Sequence, residues 1–183
     1  MSTKTQATIE DLYHVPEDGK AEIIDGELVL MSPTGFLPSR AASIVYMSLF
    51  RHESKAKDGL AIADNAGFVV DLPNRKSFSP DAAWYVGKPS GMKFLQGAPV
   101  FAVEVRSEED YGPRAEKKMA EKRTDYFAAG TLCVWDVDML SPDVIKAYFS
   151  HDPENPIIFR RRDIANAGEA VRGWSMPVDD LFF

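Results

Sequence analysis

At 183 residues, 45% hydrophobic and 27% charged, the chain has the size and balance of one globular domain with a sizeable core. No apolar run approaches the roughly 20 residues that span a bilayer, the opening "MSTKTQATIEDLYHV" lacks a secretory apolar stretch, and one cysteine, Cys133, excludes an internal disulfide framework and a zinc site built on several thiolates. A reducing compartment, the cytoplasm, is therefore expected, and the net charge of −7 argues against broad attraction to DNA without excluding a nucleic-acid enzyme with local positive groups.

In chain order, "TIEDLYHVPEDG" predicts a short helix stopped by Pro16, part of a helical extension over residues 1–19. "AEIIDGELVLMSP" predicts a hairpin about Asp25-Gly26. "PSRAASIVYMSLFRHESKAKDG" predicts a helix whose apolar residues Ala41, Ile44, Val45 and Leu49 share a face, with Gly59 at its end. Two short strands follow in "GLAIADNAGFVVDLP", a third in "SPDAAWYVG", and the most buried-looking one in "APVFAVEVRS". "GPRAEKKMAEKRTDYFAAG" predicts a helix between Pro113 and Gly130. "TLCVWDVD" and "VIKAYF" are two more strands, and "GEAVRGWSMPVDDLFF" is an apolar tail docked on the domain. This order predicts an α/β fold with a mixed central sheet flanked by helices, in a single domain over residues 1–183.

Four polar residues stand out. Glu104 interrupts an apolar strand, where alternation puts Val100, Ala102 and Glu104 on one face and Phe101, Val103 and Val105 on the other. It is either a strand-end carboxylate in solvent or a salt bridge, or a metal ligand at the end of a central strand. Asp81, after Pro80 and before an apolar strand, is either a turn residue or a second carboxylate meeting Glu104 across neighbouring strands. On the helix, Ala115, Met119, Lys122, Tyr126 and Ala129 form one stripe; Lys122 either snorkels outward or points at an anionic site beneath the helix. Glu22, on a face with Ile24, is either exposed or a further member of the group.

Carboxylates converging with a lysine are the chemistry of magnesium-assisted phosphodiester hydrolysis: a hard cation on carboxylate oxygens activates water, and an ammonium stabilises developing charge. The three histidines, His14, His52 and His151, have no metal-ligand spacing, and no phosphate-binding glycine loop is present. Basic residues at Asn74–Lys76 and Phe159–Asp163 either touch a phosphate backbone or form solvated surface; Lys117, Lys118 and Arg123 read as solvated.

The series "AEIIDGELVLMSP", "SPDAAWYV", "VFAVEVRS", "KRTDYFAAG" and "VWDVD" resembles the Uma-two family of restriction endonucleases, within the PD-(D/E)XK nuclease superfamily, from about Lys20 to the C-terminus. The resemblance implies a restriction-endonuclease-like core. It also implies a Mg²⁺- or Mn²⁺-dependent endonuclease acting on DNA as a homodimer. Asp81 then matches the proline-linked aspartate, Glu104 the second acidic motif, and Glu22 the family's early glutamate, all three at the metal. Lys122 matches the helix lysine four residues before Tyr126 and stabilises charge. The superfamily's lysine two residues after the glutamate is replaced here by Arg106, which could act only as a charge clamp. The other expectation is a catalytically inactive nuclease-fold module that binds nucleic acid or protein; the acidic balance favours it slightly, whereas the four polar residues at matching positions favour the nuclease more strongly.

Overall fold

A computed structural model describes residues 6–15 and 19–183. Helix α1 (Ile9–Tyr13) is capped by Thr8, whose hydroxyl accepts from the Asp11 N–H while the Asp11 carboxylate accepts from the Thr8 N–H. It ends ahead of Pro16, which lies outside the described residues. Strands β1 (Lys20–Ile24) and β2 (Glu27–Met31) form the expected hairpin, and Asp25 and Gly26 both take positive φ (49° and 75°). That backbone suits the Asp-Gly pair and matches the twist of the flanking strands.

The main sheet has six strands in the order β11-β10-β9-β8-β6-β3: Asp152–Phe159, Ile145–Phe149, Cys133–Val137, Phe101–Val105, Ala82–Tyr85 and Leu60–Ala63. Only β8 and β9 run parallel; the other pairings in this sheet are antiparallel. A parallel pair needs a crossover, and helix α3 (Pro113–Ala128) supplies it, with Pro113 in its first turn and Gly130 (φ 103°) just past its end. A three-stranded sheet of β5 (Ser77–Phe78), β4 (Phe68–Val69) and β7 (Leu95–Gln96) and a two-stranded one of β12 (Ile164–Asn166) and β13 (Ser175–Pro177) complete the fold.

Period-2 alternation on β8 divides the interior into two layers. Phe101, Val103 and Val105 face helix α2 (Phe36–Ala56) and the tail, where Trp174, Met176, Val178 and Leu181 are buried against Trp135 and Ile145. Ala102 faces the other layer, made of Phe68, Phe78, Tyr85, Tyr126 and Val134. Glu104 shares the Ala102 side, beneath α3.

One sequence expectation needs correction. Helix α2 ends at Ala56, with Lys57 in the left-handed cap position (φ 57°), and not at Gly59. Gly59 is required for another reason: a Cβ there would lie 2.3 Å from Trp84 Nε1. Strand β11 was not legible because Pro153 and Pro156 interrupt it; an edge strand tolerates the lost donors.

Candidate active site

Asp81 and Glu104 meet through strand pairing. Ala82 pairs with Val103, the Asp81 N–H donates to the Val103 carbonyl at 3.0 Å, and Asp81 Oδ2 accepts from the Val105 N–H at 2.7 Å. These two bonds flank residue 104, so the carboxylates sit side by side at the end of β8.

Lys122 comes down from α3 onto Glu104, as its place in the helix stripe predicts. Its Nζ is 2.8 Å from Glu104 Oε2 and 3.0 Å from Glu22 Oε1. One turn further along, the Tyr126 hydroxyl donates to Glu104 Oε1 at 2.6 Å. Two of the four sequence candidates, Glu22 and Glu104, thus touch the ammonium of a third, and the fourth, Asp81, adjoins Glu104 through the β8 backbone.

Glu22 is not an exposed strand residue: its side chain is 1% accessible. Arg75 Nη1 donates to its Oε2 at 2.5 Å, and the Ser79 N–H donates to Oε1 at 2.9 Å. Arg75 Nε also donates to Asp125 Oδ2 at 2.7 Å, and Asn74 Nδ2 to Asp125 Oδ1 at 2.9 Å. The Asn74–Lys76 segment is therefore not a phosphate-touching surface at its centre. Arg75 lies over the Phe78 ring, which stacks on Tyr126 with centroids 4.0 Å apart.

Two further groups complete the site on the outer side. Lys20 Nζ is 2.6 Å from Asp64 Oδ1 and 3.2 Å from Asp81 Oδ1. Five carboxylates (Glu22, Asp64, Asp81, Glu104, Asp125) thus face three cations (Lys20, Arg75, Lys122), which leaves two negative charges at full ionisation. The base of the site is dry, while Lys20, Asp81, Lys122 and Glu104 keep 16–21% of their side-chain surface in solvent.

The electrostatics follow from this packing. Burial raises the Glu104 carboxyl, Lys122 partly offsets it, and the neighbouring charges of Asp81 and Glu22 push it up again, to about 7. Burial would also raise Glu22, but Lys122 and Arg75 outweigh it and hold that carboxyl below its ordinary range. Lys122 is pulled down by burial and raised further by Glu104 and Glu22, so it stays cationic.

Arg106 is not a clamp over this group. It donates to both oxygens of Asp136, at 2.8 and 2.7 Å, and to Glu116 on α3. Arg123, expected as a solvated charge, stacks over Tyr148 at 3.7 Å. A broad concavity of about 560 Å³ lined by Asn166, Glu169, Arg172 and Trp174 belongs to the tail and contains none of the site residues.

Lys20, Asp64, Arg75 and Asp125 escaped the sequence reading. Lys20 had a signal, since it shares the β1 face of Glu22 at i−2, and Asp125 follows Lys122 by three on a helix. Arg75 and Asp64 come from loops: Arg75 stands in a basic stretch that reads as phosphate-touching or solvated, and Asp64 carries no signal.

Among the described residues, no three histidine, cysteine or acidic side chains are gathered into a metal cage. Lys122 separates Glu22 from Glu104. The donor chemistry nonetheless suits a hard divalent ion at Asp81 and Glu104: adjacent carboxylates on one strand pair, at the solvent-reaching side, in a group with two negative charges left over.

No curated protein matches the chain. It is similar in structure to a crystal structure titled as a putative nuclease belonging to DUF820 from Anabaena variabilis. The TM-score is 0.73 at 16% identity, covering 96% of this chain and 97% of that one. At that identity the likeness speaks for the fold, which is the expected mixed sheet flanked by helices. The sequence model of Uma2, described as "Putative restriction endonuclease", matches residues 7–179. With nearly the whole chain matched, the protein belongs to the Uma2 family, a nuclease-like family by its description.

Proposed function

We propose that the protein is a divalent-metal-dependent endonuclease that hydrolyses phosphodiester bonds in DNA. The observation that carries this reading is the side-by-side placement of Asp81 and Glu104 at the solvent-reaching side, with the Lys122 ammonium on Glu104. Asp81 and Glu104 would hold Mg²⁺ or Mn²⁺. Such an ion would supply a polarised water and neutralise phosphate charge.

The chain's own groups have distinct tasks. Lys122 stabilises charge on the phosphate oxygens. Glu22, expected in the sequence as a third ligand or a water-positioning carboxylate, is assigned instead to holding Lys122, because Arg75, Ser79 and Lys122 use its oxygens. Tyr126 fixes the rotamer of Glu104 through its hydrogen bond. A cytoplasmic homodimer completes the proposal, since two-fold pairing suits duplex DNA.

The test is cleavage of DNA and RNA panels with and without Mg²⁺ or Mn²⁺, comparing the parent with Asp81→Asn, Glu104→Gln and Lys122→Met. Metal-dependent cutting of DNA that each substitution abolishes in folded protein supports the proposal. A second reading, an inactive binding module, is favoured by the pairing of both carboxylates with protein lysines. DNA or protein binding that these three substitutions leave intact, with no cutting by the parent, would select it.

A further inference from the structure

The site contains two lysine bridges of the same construction. Glu104 gives one oxygen to a fixed donor, the Tyr126 hydroxyl at 2.6 Å, and the other to the Lys122 ammonium at 2.8 Å. A second carboxylate, Glu22, tethers that ammonium from behind at 3.0 Å. Asp81 repeats the pattern. Its Oδ2 accepts from a fixed donor, the Val105 N–H at 2.7 Å, and its Oδ1 faces the Lys20 ammonium at 3.2 Å. A second carboxylate, Asp64, tethers Lys20 at 2.6 Å.

Lys20 and Glu22 lie two apart on β1 and so share the face that lines the site. The Lys20 side chain keeps 16% of its surface exposed, against 18% for Lys122, so the two lysines have similar access to solvent. The longer of the two Lys20 contacts is the one to Asp81, so the ammonium sits closer to its tether than to the carboxylate at the centre. An ammonium has three donors; two carboxylate contacts leave one N–H directed elsewhere.

We propose that Lys20 is a second substrate-contacting cation, which binds a non-bridging oxygen of the phosphodiester on the Asp81 side while Asp64 retains it. The proposal rests on the nuclease reading above. Its physical consequence is a competition: Lys20 and a divalent cation both seek Asp81 Oδ1, and like charges cannot share it. Displaced from Asp81, the ammonium stays on Asp64 with two N–H groups free for a phosphate. A lysine that merely joined β1 to the sheet would compete for Asp81 in the same way, but its loss would leave the cleavage rate at saturating metal unchanged.

Two readouts test this on the full chain: Mn²⁺ affinity by electron paramagnetic resonance, and single-turnover DNA cleavage at saturating Mn²⁺. For Lys20→Met, Mn²⁺ should bind several-fold more tightly while cleavage slows by roughly ten- to a hundredfold. Lys20→Arg, which keeps the charge, should recover part of the rate. If Lys20→Met does not fold, Lys20→Gln decides on the same readouts. Unchanged or weaker Mn²⁺ binding, or cleavage within twofold of the parent, overturns the role of Lys20 alone. A parent that neither binds Mn²⁺ nor cuts DNA overturns the nuclease reading and this role with it.

Discussion

Arg75 Nη1 lies 2.5 Å from Glu22 Oε2, with both side chains at 5% exposure or less. A loop arginine thereby neutralises a strand carboxylate that water cannot reach. Removing one partner of a buried pair strands the other charge, which typically costs ~3–5 kcal/mol. Glu22 keeps Lys122 and the Ser79 N–H, and Asp125 keeps the Asn74 amide, so Arg75→Ala should lower unfolding free energy by somewhat less, about 2–3 kcal/mol. Urea denaturation checks this; a loss below about 1 kcal/mol would mean that Glu22 finds water or another donor.

Lys122 carries a different burden. Lys122→Met keeps the length and apolar stem but brings Glu22 and Glu104 together without a cation between them. Cleavage should fall by roughly 10²- to 10³-fold, the loss seen when one preorganised donor is removed. Lys122→Arg should not restore it, since a planar fork cannot occupy the point between two carboxylates that an ammonium fills. Rates measured at saturating metal and substrate, with circular dichroism confirming the fold, decide the matter.

Much of this site was written in periodicity. The β8 alternation placed Glu104 on the face opposite Phe101, Val103 and Val105, and the α3 stripe aimed Lys122 and Tyr126 at the sheet, as found; Val100, expected on the Glu104 face, lies just before β8 and packs instead with the Phe101 layer. The "SPDAAWYV" segment delivered Asp81 to the neighbouring strand. Period analysis failed where partners come from loops: Arg75 lies between β4 and β5 and reads as surface charge, yet it is 4% exposed. For Glu22 periodicity alone left exposure and membership of the site both open, since its burial depends on a partner 53 residues away. Local pattern reports which way a side chain points, not what a distant loop brings to meet it.

Glu104 makes stability depend on pH in a defined window. Its folded value of about 7 lies above the ordinary 4.5. Between these values the unfolded chain has released the proton and the folded chain retains it. The folded state then holds more protons, so stability falls as pH rises through the window. Glu22 acts in the opposite direction, but its depressed carboxyl contributes stability that is lost only as pH falls below the ordinary range. Melting temperatures of metal-free protein should therefore decline from about pH 5 to pH 7.5, and Glu104→Gln should flatten that decline. A parent and a Glu104→Gln variant with the same slope would remove Glu104 as its source.

Gly59 offers a test of packing alone. A Cβ at this position would stand 2.3 Å from Trp84 Nε1 and 2.4 Å from Cε2, and Trp84 is 1% exposed within the α2-side layer. The indole has no room to retreat. Gly59→Ala should cost about 1–3 kcal/mol by overpacking, whereas alanine at exposed Gly35, with nothing within 4 Å of its Cβ, should not. Thermal unfolding of the two variants in parallel distinguishes a steric effect from a general loss of glycine.

Arg106 separates architecture from chemistry. It lies two residues after Glu104, just past the end of β8, and Asp136 and Glu116 take its donors. Arg106→Met leaves Asp136, 4% exposed, without its cation, and stability should drop by ~3–5 kcal/mol. Replacing both partners, Arg106→Met with Asp136→Leu, should recover most of that loss, because no buried charge is then left alone. Well below the melting temperature, the double variant should cut DNA within a few-fold of the parent. A hundredfold slower rate in a stable double variant would return Arg106 to the reacting phosphate and displace Lys122 as the main cation of the site.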